Sequence, residues 1–505
     1  MRRLAVTLLC VSACSRAVYE PRLHAPDVPP RMYSVHNGRL KVHLTSGDLV
    51  VLTSWTPSET ALSGTGTRYD ILRRITSEGR QLLPLDSIAL LESEVRTGSR
   101  PDATVGMAIW TTIWGVFTGI CVADPKSCFG SCPTFYVATD SGEALAAEGF
   151  SASIARALEA RDLDALFPAR AMGGDFTVRM RNEALETHAV RSLTLLAVRR
   201  PRGGRVLASS DGTLYPATAV RGPIACRAPE GDCLAALRAQ DAVERTSLAD
   251  SIDLAATETI ELTFPAATGR LGLVLAARQS LMSTYLFYET MGFLGSRAGE
   301  TLAALERGGP EVAGRAMGMA RLIGRITVEV LAGNQWTLIG SHDEAGPLAT
   351  HVEVLPFTTE GPGPVRIRLT ASRGAWRLDW VALADLGEPT EAVVVEPEAV
   401  LRGDRPDAAA LALLRDPGRH LVTYPGDAYD VVFRLPPADG EWELFLQSEG
   451  YYYEWMRSEW LADEDPALAA LVLTDPAAAL RVLAPEYKRG EIKMEQSFWS
   501  SRFGR

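Results

Sequence analysis

The sequence lacks the signatures of the commoner chemistries. Its 51 basic residues are outnumbered by 62 acidic ones, for a formal net charge of -11. That deficit argues against a nucleic-acid partner, which would need a basic stripe. No glycine-rich turn follows a strand and opens a helix, as a phosphate cradle requires; Gly64 to Thr67 (GTGT) lies among strands. No serine sits in a nucleophile elbow, since the nearest string, Gly149 to Ser153 (GFSAS), lacks the closing glycine. Histidine is scarce. His24, His36, His43, His188, His342, His351 and His420 are scattered, and no two stand at i, i+4 around a glutamate as in helical metal motifs. His342-Asp343-Glu344 is the densest local group, and its setting reads as a solvated turn. No catalytic residue, metal ligand or cofactor is therefore assigned from sequence.

Long apolar runs are equally few. One stands out, Ala103 to Ala123, 21 residues without a charge. As a helix it would span about 31 Å, the thickness of a bilayer core. Gly115 and Gly119 within it make a small-xxx-small pair that lets two helices approach closely. A spanning helix, a buried hairpin and a helix lying on a membrane all remain open for this stretch.

What is present is most informative at the N-terminus. Arg2 and Arg3 precede an apolar run from Leu4 to Val11 and then small residues, the layout of an export signal. The string Val11-Ser12-Ala13-Cys14 resembles the lipobox of bacterial lipoproteins. The resemblance implies cleavage after residue 13 and acylation of Cys14. Two or three chains, at about 0.8 kcal/mol per buried methylene, would then fix the protein to a membrane. Ser15 after the cysteine implies outer-membrane sorting. Residues 14–37, with four prolines, read as an extended lipidated tether.

Of seven cysteines, Cys10 would leave with the signal and Cys14 would carry lipid. Cys128 and Cys132, and Cys226 and Cys233, are close enough in sequence to be local disulfide staples in an exported chain. A zinc site of these four is disfavoured by their spacing and by the absence of a nearby histidine. Cys121 reads as a buried thiol.

Along the chain the pattern predicts a multidomain, mainly β protein with helical insertions, an α+β architecture. Residues 38–98 carry short alternating strands and resemble a small SH3-like or Sm-like β-barrel, with turns at Ser46-Gly47-Asp48 and Ser77-Glu78-Gly79. Residues 124–250 read as an α+β domain holding both cysteine pairs. It has a hairpin at Asp140-Ser141-Gly142, a helix through SIARALEARDLDAL, two strands and a second helix after Cys233. This region resembles a recurrent unit of uncharacterised bacterial envelope proteins. Residues 251–390 predict seven strands interrupted by helices from Gln279 to about Arg321, and resemble a galactose-binding-like β-sandwich. Residues 391–505 begin as an acidic, proline-rich linker, continue as two strands and end helical, with Asp465-Pro466 and Asp475-Pro476 as helix starts.

One surface candidate emerges, EGYYYEWMRSEW. Tyr451, Tyr452, Tyr453, Trp455 and Trp460 could stack on sugar rings, or could fill an interface. The expected role is that of a lipid-anchored, non-catalytic scaffold or binding module of the cell envelope, with membrane lipid and an envelope protein or glycan as partners. Two other classes stay open: a hydrolase of envelope glycans or lipids, and a membrane-complex assembly component acting through residues 103–123.

Overall fold

The computed structural model describes residues 15–101 except 27, 33–34, 36–37 and 72–73, and residues 132–502 except 141, 185, 344–345, 360, 362, 456–459 and 461–462. Cys14, Cys121, Cys128, Gly115, Gly119 and the whole stretch 103–123 lie outside the described residues. Among the described residues no helix is long and apolar enough to cross a membrane. The chain divides into two compact units, and each is taken by itself.

The smaller unit holds a six-stranded antiparallel sheet in the order Ser15–His24, Ile88–Pro101, Leu40–Leu44, Leu49–Pro57, Ala61–Tyr69, Ile75–Pro84. Apolar residues alternate inward: Leu40, Val42, Val50, Leu52, Leu62 and Leu91 form its core. Three expectations need correction. The sheet ends in two edge strands among the described residues, so no barrel closes. The segment expected as an unstructured tether contributes the edge strand Ser15–His24, because the long strand Ile88–Pro101 offers it an open ladder. The reversal expected at Ser77-Glu78-Gly79 also falls earlier, where Asp70 N donates to Arg74 O, and the strand runs on through Gly79. Gly64 and Gly66 owe their identity to packing, since a Cβ would stand 2.2 Å from Ser54 O and 2.1 Å from Val51 O. Beneath the sheet Glu92 is buried between Lys41 Nζ (2.8 Å) and His43 Nε2 (3.0 Å). Burial alone would raise its pKa, and these partners outweigh burial to hold it at about 2.

The larger unit is a stack of four antiparallel sheets. Sheet I runs Arg405–Pro406, Pro397–Arg402, Ala428–Leu435, Gly174–Arg181, Thr134–Thr139, Gly142–Glu148. Sheet II runs Val393–Val395, Glu186–Arg199, Trp442–Glu454, Ala160–Ala165, with Leu421–Thr423 added on Glu186–Arg199. Phe135, Val178, Val431 and Phe433 of sheet I close on Val190, Leu195, Leu444 and Leu446 of sheet II to make one core. Sheet III orders Arg205–Ala208, Leu214–Arg221, Trp376–Leu386, Gly269–Gln279, His351–Thr359, with Arg245–Thr246 paired to Trp376–Leu386. Sheet IV orders Gly231–Asp232, Ala225–Ala228, Thr257–Ala266, Pro364–Ser372, Ile326–Ala332, Gln335–His342.

Sheet III is covered on both faces, which explains why Leu271 to Ala277 are all buried without alternation. Toward sheet II, Val206, Ala208 and Leu214 pack with Val198 and Phe445. Toward sheet IV, His342 lies against Trp376 with ring centroids 5.0 Å apart. Sheet IV alternates buried Ile260, Leu262, Ile367 and Leu369 with an outer charge ladder in which Arg368 donates to Glu329 at 2.7 Å and Arg366 to Glu261 at 3.2 Å.

The seven strands expected between residues 255 and 387 are all present, as is the helical insertion, at Met282–Leu294, Ala298–Ala316 and Gly318–Ile323. Residues 391–505 do not stand apart. Their strands complete sheets I and II by pairing Ala428–Leu435 with Gly174–Arg181 and Trp442–Glu454 with Glu186–Arg199. Residues 205–386 are thus a two-sheet insert within a sandwich built from both flanks, and the supposed linker supplies Val393–Val395 and Pro397–Arg402. The helix expected through residues 153–166 is replaced by a short turn and the strand Ala160–Ala165, which pairs with Trp442–Glu454. After Cys233 only Leu234–Leu237 is helical. The helices Pro466–Thr474 and Pro476–Arg502 start where the Asp-Pro pairs place them, with Asp475 Oδ1 accepting from Ala478 N at 3.0 Å.

Cys226 and Cys233 form a disulfide across a tight loop, at a sequence separation of 7. By the entropy of closing so short a loop, reduction should cost about 2.5 kcal/mol of stability. Urea unfolding with and without reductant checks this, and unchanged midpoints would count against it. Cys132 Sγ lies 3.1 Å from Glu148 Oε1, while the cysteine expected to pair with it, Cys128, is outside the described residues.

Candidate functional site

The densest chemistry in the larger unit lies where three sheet edges converge. Asp162 and Asp164 come from Ala160–Ala165, the edge of sheet II; His351 and Glu353 from His351–Thr359, the edge of sheet III; His342 closes Gln335–His342, the edge of sheet IV. Each pair two residues apart projects to one face of its strand, so both aspartates look the same way, as do His351 and Glu353.

One donor atom each from Asp162, Asp164 and His351 lie within 4.8 Å of one another. His351 Nδ1 stands 3.2 Å from Asp164 Oδ1. Asp162 Oδ2 accepts from Phe150 N at 3.2 Å and Oδ1 from Leu163 N at 2.8 Å. Burial and then the charge of Asp164 push the Asp162 carboxyl upward. Burial alone would lower His351, but its hydrogen bond to Asp164 and the charges of Asp164, Asp162 and Glu353 raise it to about 9. Beside it the ring of His342 is 5.7 Å from that of His351, centroid to centroid. His342 is wholly buried, where a solvated turn was expected, because Trp376 and His351 cover its ring. Its Nδ1 lies 2.9 Å from Glu353 Oε1, yet the pair is not aligned as a hydrogen bond.

Trp376 also lines a pocket of about 350 Å³, with Ser247, Ser280, Arg377 and Glu495. Its charged pair is engaged: Arg377 pairs with Glu495, and Glu495 Oε1 accepts from Leu281 N at 2.8 Å.

The aromatic string is placed otherwise than a sugar-stacking surface needs. Tyr451, Tyr452, Tyr453, Trp455 and Trp460 are all buried. Tyr452 donates to Ser151 O at 3.0 Å, Tyr453 to Glu306 Oε1 at 2.6 Å, and Trp455 Nε1 to Thr187 Oγ1 at 2.8 Å. Tyr451 meets Tyr453 edge to face at 5.4 Å. These rings fill interiors.

Sequence reading missed the cluster because its members are dispersed, from Asp162 to Glu353. The one local trace is the Asp-x-Asp of RDLDA, which becomes a same-face pair only on a strand, and this segment reads as helix.

No protein-family model matches the sequence, and no curated protein matches it either. Among solved structures, a cycloalternan-forming enzyme from Listeria monocytogenes superposes at a TM-score of 0.17 and 8% identity, over 67% of this chain and 30% of that one. The secreted serine protease VesC from Vibrio cholerae superposes at 0.13 and 8%, over 68% and 69%. The chain thus spans about 30% of the length of the first. Likenesses this weak define no class for it.

Proposed function

We propose that this chain is an exported, lipid-anchored protein of the cell envelope, acting as a non-catalytic scaffold or binding module at the membrane surface. The observation that carries the reading is the string Val11-Ser12-Ala13-Cys14 behind a basic and apolar leader. The Cys226–Cys233 disulfide supports it, because such bonds persist in oxidising compartments outside the cytosol. Acylation at Cys14, sorting to the outer membrane and an envelope protein or glycan as partner all belong to this proposal.

The test is the intact mass of protein extracted from membranes, wild type beside Cys14→Ser. The expected wild-type species begins at Cys14, carries diacylglyceryl and acyl groups, and shows bonded cysteines before reduction. The variant should lose the lipid mass and leave the membrane fraction. An unmodified N-terminus on the wild-type protein would overturn the reading.

A further inference from the structure

We infer that the seam where the edges of sheets II, III and IV meet binds one divalent transition cation, with Asp162, Asp164 and His351 as ligands and His342 and Glu353 as adjoining donors. Such a site is independent of the envelope reading. Metal bonds to carboxylate oxygen and imidazole nitrogen are about 2.0–2.2 Å long, so two ligands of one ion stand at most about 4.4 Å apart. The donor atoms of Asp162, Asp164 and His351 already lie within 4.8 Å of one another, and small rotations close the difference.

A second observation points the same way. Both ring nitrogens of His342 and Oε1 of Glu353 are buried and lack an aligned hydrogen-bond partner. Native interiors seldom leave such groups unsatisfied, because a buried donor or acceptor without a partner forfeits its hydration. Yet His342 Nδ1 and Glu353 Oε1 are only 2.9 Å apart. Two ligands at right angles on one ion, with bonds of about 2.1 Å, are separated by about 3.0 Å. Three carboxylates and two imidazoles share the seam, which stays net negative even with His351 protonated, and a largely buried negative cluster is costly unless a further cation joins it. Imidazole nitrogen beside carboxylate oxygen favours zinc, manganese or iron(II) over calcium and magnesium, which take all-oxygen sets. The competing occupant is a proton shared between His351 and Asp164, with no ion.

The experiment uses untagged full-length protein, stripped with chelator and titrated calorimetrically with zinc, manganese and calcium in turn. Expected is saturable uptake of one equivalent of zinc or manganese, with a rise in melting temperature, and no uptake of calcium. Asp162→Asn and His351→Gln should each weaken binding by more than ~10-fold, since even outer partners of metal ligands cost that much. Cobalt(II) should give the visible spectrum of nitrogen and oxygen ligation without a thiolate band, which separates this site from Cys132. Absence of saturable uptake by the wild type at about 0.1 mM zinc overturns the inference. So does equal binding by both variants, or a thiolate band. Should the variants fail to fold, the wild-type isotherm and cobalt spectrum decide alone.

Discussion

Acidification from pH 6.5 to 4.5 should remove roughly 2 kcal/mol of stability through His188 alone, since each pH unit well below the unfolded pKa is worth at most about 1.36 kcal/mol. His188 is wholly buried in sheet II, its Nε2 3.0 Å from Glu186 Oε2 and its ring edge-on to Tyr452. Burial outweighs the attraction of Glu454 and Asp427, and lowers its pKa from 6.5 to about 3. The folded protein therefore keeps the ring neutral while the unfolded chain takes up a proton below pH 6.5. The contribution is complete only about a unit above pH 6.5 and declines as pH falls through 6.5 toward 3. His188→Phe keeps the ring and removes the titration. Chemical denaturation of both proteins across this range should show their stabilities converging, or crossing, as pH drops. Parallel profiles would show that His188 is not the group responsible.

The second large effect is expected at Glu244. Its carboxylate receives Arg278 Nε at 2.6 Å and Nη2 at 2.5 Å, with Arg377 Nη1 at 3.4 Å. Arg278 is 1% exposed and also donates to Pro347 O at 3.0 Å. Burial lowers even this guanidinium to about 10, against the pull of Glu244. Arg377 continues the chain of alternating charge to Glu495 on the helix Pro476–Arg502, so one carboxylate secures both the interior of sheet III and the helix docked on it. Glu244→Gln leaves a buried cation without its counter-charge, and should cost about 3–5 kcal/mol. Adding Arg278→Met should restore part of that loss, because a buried pair exchanged for apolar bulk is often neutral. Urea midpoints at constant slope report both. A change below about 1 kcal/mol for Glu244→Gln would show that water reaches the pair.

What the sequence reveals here is what is encoded locally. The Thr134–Glu148 hairpin, the seven strands from Thr257 to Leu386 and the helices after Asp465 and Asp475 each follow from period, turn chemistry or caps. The segment 153–166 misleads because ARALEARDLDAL has strong helix formers, and pairing with Trp442–Glu454 overrides that preference. The barrel expected at residues 38–98 fails for a comparable reason, since closure depends on which edges meet and the alternation of Leu40, Val42 and Leu44 is the same in an open sheet. Of the metal seam, only Asp-x-Asp and the His342 group leave a trace. Its geometry is made by three edges brought together over long sequence distances, and no window of ten residues contains it.

The nesting of one sandwich inside another sets an order in time. Arg179 finds Asp430, 251 residues further along. At about 5–20 residues per second, a growing chain would wait roughly 12 to 50 s between making the first of these strands and the second. The insert, residues 205–386, finishes well before that and can collapse on contacts of its own. The earlier flank meanwhile holds Gly174–Arg181 and Glu186–Arg199 without the neighbours that later seal them, open to pairing with any other strand. Assembly of the larger unit is thus governed by residues 393–454, and a chain halted near residue 390 would carry sheets III and IV complete beside sheets I and II that still lack half their strands.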